Sequence, residues 1–195
     1  MKRLFFLLIT IFSFSLLHAQ LKPEGLFINS KAPDFKAKDQ SGVEVALKDL
    51  RKKGPVVVVF YRGNWCPYCS KALTRFQDSL HYLTEKGAQL VAITPEGATG
   101  VAKTTEKTGV VFPVLSDADM KIAKGYKVAF NVDDRTLGRY KNAGIDLLET
   151  NAQKEAMLPV PAVYIINKEG SVTYRYFNED YKKRPWVKDL LAEIK

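Results

Sequence analysis

Six consecutive apolar residues, Val56-Val57-Val58-Val59-Phe60-Tyr61, follow the breaker pair Gly54-Pro55 and run straight into Arg62-Gly63-Asn64-Trp65-Cys66-Pro67-Tyr68-Cys69. An uninterrupted β-branched run of this length predicts a strand buried on both faces, which needs a sheet with helices on each side. From Pro67 to Lys86, Leu73, Phe76, Leu80 and Leu83 recur at helical spacing, and Gly87 supplies a left-handed C-terminal end. Pro67 suits the first helical turn, where its missing N–H leaves no bond unmade. A buried strand therefore hands the chain to a helix through a short segment that carries both cysteines.

The rest of the chain alternates in the same way. Asp39-Gln40-Ser41-Gly42 reads as a turn before an alternating stretch from Val43 to Leu47. Apolar runs predict strands over Gln89 to Thr94 and Val110 to Leu115, with helices over Val101 to Lys107 and Asp117 to Lys124. Ala162 to Asn167 and Ser171 to Phe177, joined by Lys168-Glu169-Gly170, read as an antiparallel hairpin, and Pro185 opens a last helix from Trp186 to Ile194. The segment from Asn131 to Leu158 fits neither pattern and reads as an insertion with a short helix near Thr136 to Asn142. The fold class expected is α/β, a central mixed sheet covered by helices on both faces.

Residues 1–19 stand apart as a signal peptide. Met1-Lys2-Arg3 is a basic start, Leu4 to Leu17 is uncharged and too short for a comfortable membrane span, and Ala19 precedes Gln20. No Cys follows the run, so a lipid anchor at the cleavage site is unavailable. Residues 20–195 then form one domain, exported to the periplasm or outside the cell, with no stable membrane association after cleavage. The competing reading of the leader is an uncleaved anchor.

Composition narrows the chemistry. The net charge of +9 is spread over 30 Lys and Arg in runs no longer than three, Arg51-Lys52-Lys53 and Lys182-Lys183-Arg184. Nucleic-acid binding asks for a stripe of charge with stacking aromatics, so no nucleic-acid partner is expected. Two Cys and two His, of which only His81 lies outside the leader, exclude a disulfide framework and a four-Cys zinc site.

Both sulfurs fall in the first turn of the predicted helix, where unpaired N–H groups and the positive helix end favour a thiolate. A lowered thiol pKa makes Cys a nucleophile near neutral pH, and two intervening residues let Cys66 and Cys69 cycle between dithiol and disulfide. A purely structural disulfide is the bland alternative, yet so short a loop gains little from cross-linking. A metal carrier needs a third ligand, and His81 lies roughly 18 Å of helical rise beyond Cys69. No cofactor or metal is therefore expected. Around the pair, Arg62 either assists a thiolate or is a surface charge at a strand end. Trp65 and Tyr68 either shape a partner-binding surface or pack the turn, while Tyr126, Tyr164, Tyr174 and Tyr176 read as core or sheet residues.

Ala32-Pro33-Asp34-Phe35, the Val56 to Tyr61 strand, Phe112-Pro113-Val114-Leu115-Ser116-Asp117 and Ala123-Lys124-Gly125-Tyr126-Lys127-Val128 together resemble the peroxiredoxin superfamily, the AhpC/TSA proteins. The likeness is to the peroxiredoxin-like branch with Tyr-Arg-Gly-x-Trp-Cys-Pro-Tyr-Cys. It extends to Leu158-Pro159-Val160-Pro161-Ala162 and Asp180-Tyr181-Lys182-Lys183-Arg184. The resemblance implies a thioredoxin-like fold and a thiol-dependent antioxidant enzyme. It also places the peroxidatic position on Cys69, the active-site Thr on Cys66 and the usual Arg on Pro161. The last two departures point to thioredoxins instead, where Cys66 would be the exposed attacking thiol and Pro161 a cis-proline facing the sulfurs.

Two versions of the chemistry follow from that likeness. In the leading one Cys69 attacks a peroxide, Cys66 closes the disulfide, and an external dithiol protein such as a thioredoxin-like reductant reopens it. In the other, Cys66 attacks a protein disulfide and Cys69 resolves the mixed disulfide.

Overall fold

The computed structural model describes residues 22–194. The leader lies outside them. A short antiparallel pair, β1 (Lys36–Lys38) and β2 (Glu44–Ala46), leads into α1 (Leu47–Lys53) and then β3 (Val56–Phe60). After the cysteine turn come α2 (Pro67–Asp78), α3 (Leu80–Glu85) and β4 (Gln89–Thr94), followed by α4 (Ala98–Thr108), β5 (Val114–Ser116) and α5 (Lys121–Gly125). The expected insertion holds α6 (Asp134–Asn142) and α7 (Leu147–Thr150), and its ends overlap the pair β6 (Ala129–Asn131) and β7 (Met157–Pro159). The hairpin β8 (Ala162–Ile166) and β9 (Val172–Phe177) and the last helix α8 (Val187–Glu193) complete the chain.

Five strands make the main sheet in the order β5-β4-β3-β8-β9. β3 runs parallel to β4 and antiparallel to β8, so it is central and the sheet is mixed. All five β3 residues are buried, and their alternation explains why. Val57 and Val59 point with Tyr61 into a core shared with Leu73 and Phe76 of α2, Val101 of α4 and Leu190 of α8. Val56, Val58 and Phe60 point the other way, toward Leu47 of α1, Ile122 and Ala123 of α5, Tyr126 and Tyr164. Each such side chain contributes roughly 1.5–3 kcal/mol by leaving water, and that double burial fixes where β3 ends and the cysteine turn begins.

Several elements differ from the sequence reading. The expected helix from Pro67 to Lys86 breaks at Ser79, whose N–H bonds to both Arg75 and Gln77 carbonyls. The break lets α3 seat Leu83 fully in the core. The strand expected from Val110 begins only at Val114, because Pro113 has no N–H for the ladder. Val110 and Phe112 still enter the core from the loop. The helix expected from Asp117 starts at Lys121, since the Asp117 carboxylate accepts the Ile122 and Ala123 N–H groups. α1 and β1 were too short and too charged to be read. The Val160–Pro161 bond is trans, as no described peptide bond is cis. Val160 N–H bonds to Val128 C=O and Pro161 C=O accepts from Asn178 N–H, so the chain passes from β7 to β8 extended, as the favoured trans imide allows.

Candidate redox site

Cys66 is the N-cap of α2 and Pro67 its first residue, which places Cys69 at N3. The turn is fastened from below. Glu96, fully buried in the loop after β4, accepts the Asn64 N–H at 2.9 Å and the Asn64 side-chain amide, and Thr94 Oγ1 donates to it at 3.4 Å. Burial pushes the Glu96 carboxyl above the ordinary range despite these donors. Gly63, at φ +151°, is the one residue that fits here, because a Cβ would strike the Trp65 indole and the Glu96 carboxylate. Lys107 of α4 adds a bond to Asn64 C=O at 3.2 Å.

Both cysteines are reduced and both are buried, Cys66 at 1% and Cys69 at 0% exposure. The exposed Cys66 that a thioredoxin-like pair implies is therefore not found. The cover comes from the chain's own aromatic and basic groups. Arg62 is only 3% exposed, not a surface charge. Its guanidinium donates to Tyr140 Oη and lies over the rings of Tyr181 at 4.3 Å, Trp65 at 4.8 Å and Tyr140 at 5.5 Å. From the other side Arg184 Nη2 donates to Cys69 Sγ at 3.2 Å. Trp65 is half-buried against Tyr140, whereas Tyr68 is exposed and meets Tyr181 edge-on at 5.8 Å.

This arrangement splits the two thiols. A hydrogen bond from Cys69 draws the Cys66 pKa down to about 6, against the cost of burial and with the help of Arg62 and Arg184. Burial, reinforced by the bond and charge of Cys66, pushes Cys69 well up. The directions favour negative charge on Cys66 and the proton on Cys69. That order is opposite to the one implied by aligning the peroxidatic position with Cys69.

A cavity of about 560 Å³ adjoins the site, sharing Arg62, Tyr140 and Tyr181 with it and walled by Phe130, Val132, Leu158, Val160 and Pro161. The segment read as an insertion builds one side of this wall, through Val132, Asp133, Thr136, Arg139, Tyr140 and Leu158. Its helix α6 carries Tyr140 onto Arg62 and Trp65. Pro161 is buried at the cavity and Pro67 is exposed at the helix start. Sequence reasoning missed Arg184, Tyr140, Tyr181 and Glu96. Only the Asp180 to Arg184 segment carried a signal, as part of the family likeness. His81 is exposed on α3, and among the described residues no group of three His, Cys, Asp or Glu is placed to hold a metal. No described helix is long and apolar enough to cross a membrane.

Comparison with known proteins bears on the family and the fold. Residues 28–175 match the AhpC/TSA family. A putative chloroplastic peroxiredoxin Q from Oryza sativa subsp. indica is 30% identical over 150 residues, 77% of this chain and 58% of that protein. The chain thus spans less than two thirds of that relative. The thiol-disulfide oxidoreductase ResA of Bacillus anthracis is 26% identical over 162 residues, 83% of this chain and 76% of ResA. Among solved structures, peroxidoxin BcpB from Mycobacterium tuberculosis superposes with a TM-score of 0.67 at 23% identity, over 86% of this chain and 95% of that one. The bacterioferritin comigratory protein of Xanthomonas campestris gives 0.63 at 15% identity, over 82% and 89%. The five-stranded mixed sheet with its helices is the thioredoxin-like fold of these peroxiredoxins.

Proposed function

The chain belongs to the AhpC/TSA family, and we propose that it is a thiol-dependent peroxidase in which Cys66 is the attacking thiolate and Cys69 the resolving thiol. Cys66 sulfur attacks the distal peroxide oxygen, the O–O bond breaks, and the departing alkoxide or hydroxide takes a proton from water, leaving a Cys66 sulfenic acid. Cys69 then displaces hydroxide from that sulfur to form the Cys66–Cys69 disulfide. An external dithiol protein returns the pair to the reduced state.

One observation carries the choice of peroxide over protein disulfide: the thiolate is 1% exposed beneath Arg62, Arg184 and the aromatic rings. A hydroperoxide needs only small side-chain movements to reach it, and its organic part has room in the adjoining cavity. A protein disulfide must bring backbone with it. The cations nearby also oppose the negative charge that develops on the departing oxygen. A second reading, disulfide exchange begun by Cys66, is favoured by the Cys-Pro-Tyr-Cys pair and the similarity to ResA.

Rapid mixing of the reduced protein with hydrogen peroxide or an organic hydroperoxide, followed through Trp65 fluorescence, separates the two. One equivalent of peroxide should be consumed per pair with loss of both thiols. Intact thiols after peroxide, together with rapid reduction of a protein disulfide, would put the second reading in its place. Export of residues 20–195 as one domain is the companion proposal. It rests on the basic, apolar and small-residue pattern of residues 1–19, and an intact mass beginning near Gln20 in the exported fraction tests it.

A further inference from the structure

Beyond β9 the chain doubles back from Asn178 to Trp186 in a series of tight turns. Asn178 Oδ1 accepts from Asp180 N–H at 2.9 Å, Asp180 Oδ1 from Lys182 N–H at 3.1 Å, and Asp180 C=O from Lys183 N–H at 3.0 Å. These turns aim Arg184. Its Nη1 donates to Tyr181 C=O at 2.7 Å and Lys183 C=O at 2.6 Å, which leaves Nη2 on Cys69 Sγ at 3.2 Å. Among the described residues Arg184 makes no ion pair with a carboxylate. The sulfur pair is thus the anionic partner this guanidinium has.

The second half of the proposed reaction has a difficulty that this contact answers. To attack, Cys69 must give up its proton inside the core, where burial opposes its charge. Once Cys66 is a sulfenic acid its own negative charge is gone. What then favours a thiolate at Cys69 is Arg184, aided by the Arg62 main chain.

Resting on the peroxidase reading, we infer that Arg184 is a catalytic residue of the resolving step, its Nη2 holding the Cys69 thiolate as that sulfur attacks the Cys66 sulfenic acid. The Cys69 proton leaves to water, the S–S bond forms as the S–O bond breaks, and the departing hydroxide is protonated to water. The guanidinium keeps its protons throughout, and the peroxide already consumed is the oxidant.

Arg184→Met keeps the unbranched stem and removes the charged head, and Arg184→Lys is the conservative variant. With hydrogen peroxide at pH 8, where Cys66 is a thiolate without the small help Arg184 gives it, sulfenic acid in Arg184→Met should form on Cys66 within a few-fold of the wild-type rate, while disulfide formation slows roughly tenfold. A dione trap then labels Cys66, the rise of the disulfide rate with pH moves up by about one pH unit, and Arg184→Lys recovers part of the rate. Ultraviolet titration of the Cys69 thiolate in Cys66→Ser, with and without Arg184→Met, asks the same question without peroxide. The midpoint should again move up by about one pH unit. Unchanged disulfide rates together with an unchanged midpoint overturn the role. If the wild-type protein forms no sulfenic acid, the peroxidase reading and the resolving step fail together, and the titration alone still decides whether Arg184 acts on Cys69.

Discussion

Two arginines reach one pair of sulfurs by opposite routes. Arg62 lies two residues beyond β3, is 3% exposed, and sits in a turn that Glu96, Gly63 and Lys107 lock to the core. Arg184 comes from a surface turn after the last strand, and its side chain is tied chiefly to carbonyls of its own segment. The first charge is built into the fold. The second is held by carbonyls of its own surface segment and reaches the sulfur with its free end. A cation buried beside β3 suits the thiolate that must exist before substrate arrives, and one reaching Cys69 from a surface turn suits the later charge on that sulfur.

The most severe test removes the sulfur on which the fixed cation acts. Cys66→Ser should lower the rate of peroxide consumption roughly a thousandfold or more, because the remaining Cys69 is buried and protonated. A Cys66→Ser protein that reacts with peroxide at the wild-type rate would exchange the roles of the two sulfurs, and with them those of the two arginines.

Arg62→Met comes next. Loss of a cation this close should cost Cys66 roughly ten- to a hundredfold in peroxide rate near pH 6, with much of it recovered by pH 9, where the thiolate forms unaided. In the wild-type protein, alkylation of Cys66 should rise with pH through about 6 and level off above it, while Cys69 stays unlabelled. The sign follows from the lowered pKa: above that value the reactive thiolate is present, and acid removes it. Equal effects of Arg62→Met and Arg184→Met on the first oxidation step would erase the contrast between the two.

How much of this could be read beforehand depended on the range of the interactions. The β3 run, the Cys66–Cys69 pair at a helix start and the β8–β9 hairpin are local patterns, and they stand where the sequence put them. The covering of the pair is not local. Tyr140 lies 78 residues from Arg62, and Arg184 lies 115 residues from Cys69. Neither spacing carries a periodicity, so only the fold brings them together. Arg62 was legible as a residue of interest but not as a buried one, because a charge at a strand end has no sequence signal for the rings that close over it. Pro161 illustrates the opposite risk: a motif shared with thioredoxins suggested a cis bond, and the bond is trans, with Val160 N–H and Pro161 C=O both paired to neighbouring chain.

The smallest effect separates the anchor of the fixed arm from an ordinary buried carboxylate. Glu96 and Asp117 are both buried, and burial raises both pKa values, Asp117 to about 6. A carboxyl raised in the folded state holds its proton more tightly there than in the unfolded chain. Stability is therefore fully present at low pH and declines as pH rises from the unfolded value toward the folded one. For Asp117 that window runs from 3.8 to about 6, and the loss is about 3 kcal/mol at most. Urea unfolding at intervals between pH 4 and 7 should show this decline, and Asp117→Asn should flatten its part of it. Glu96→Gln should flatten a further part, and it alone should also slow Cys66 oxidation a few-fold, because Asn64 loses an acceptor only two residues from the sulfur. Asp117 caps α5 through the Ile122 and Ala123 N–H groups and makes no bond to the turn, so its replacement should leave sulfur reactivity unchanged. If Asp117→Asn slows Cys66 as much as Glu96→Gln does, the turn depends on general stability and Glu96 has no special hold on the fixed arm.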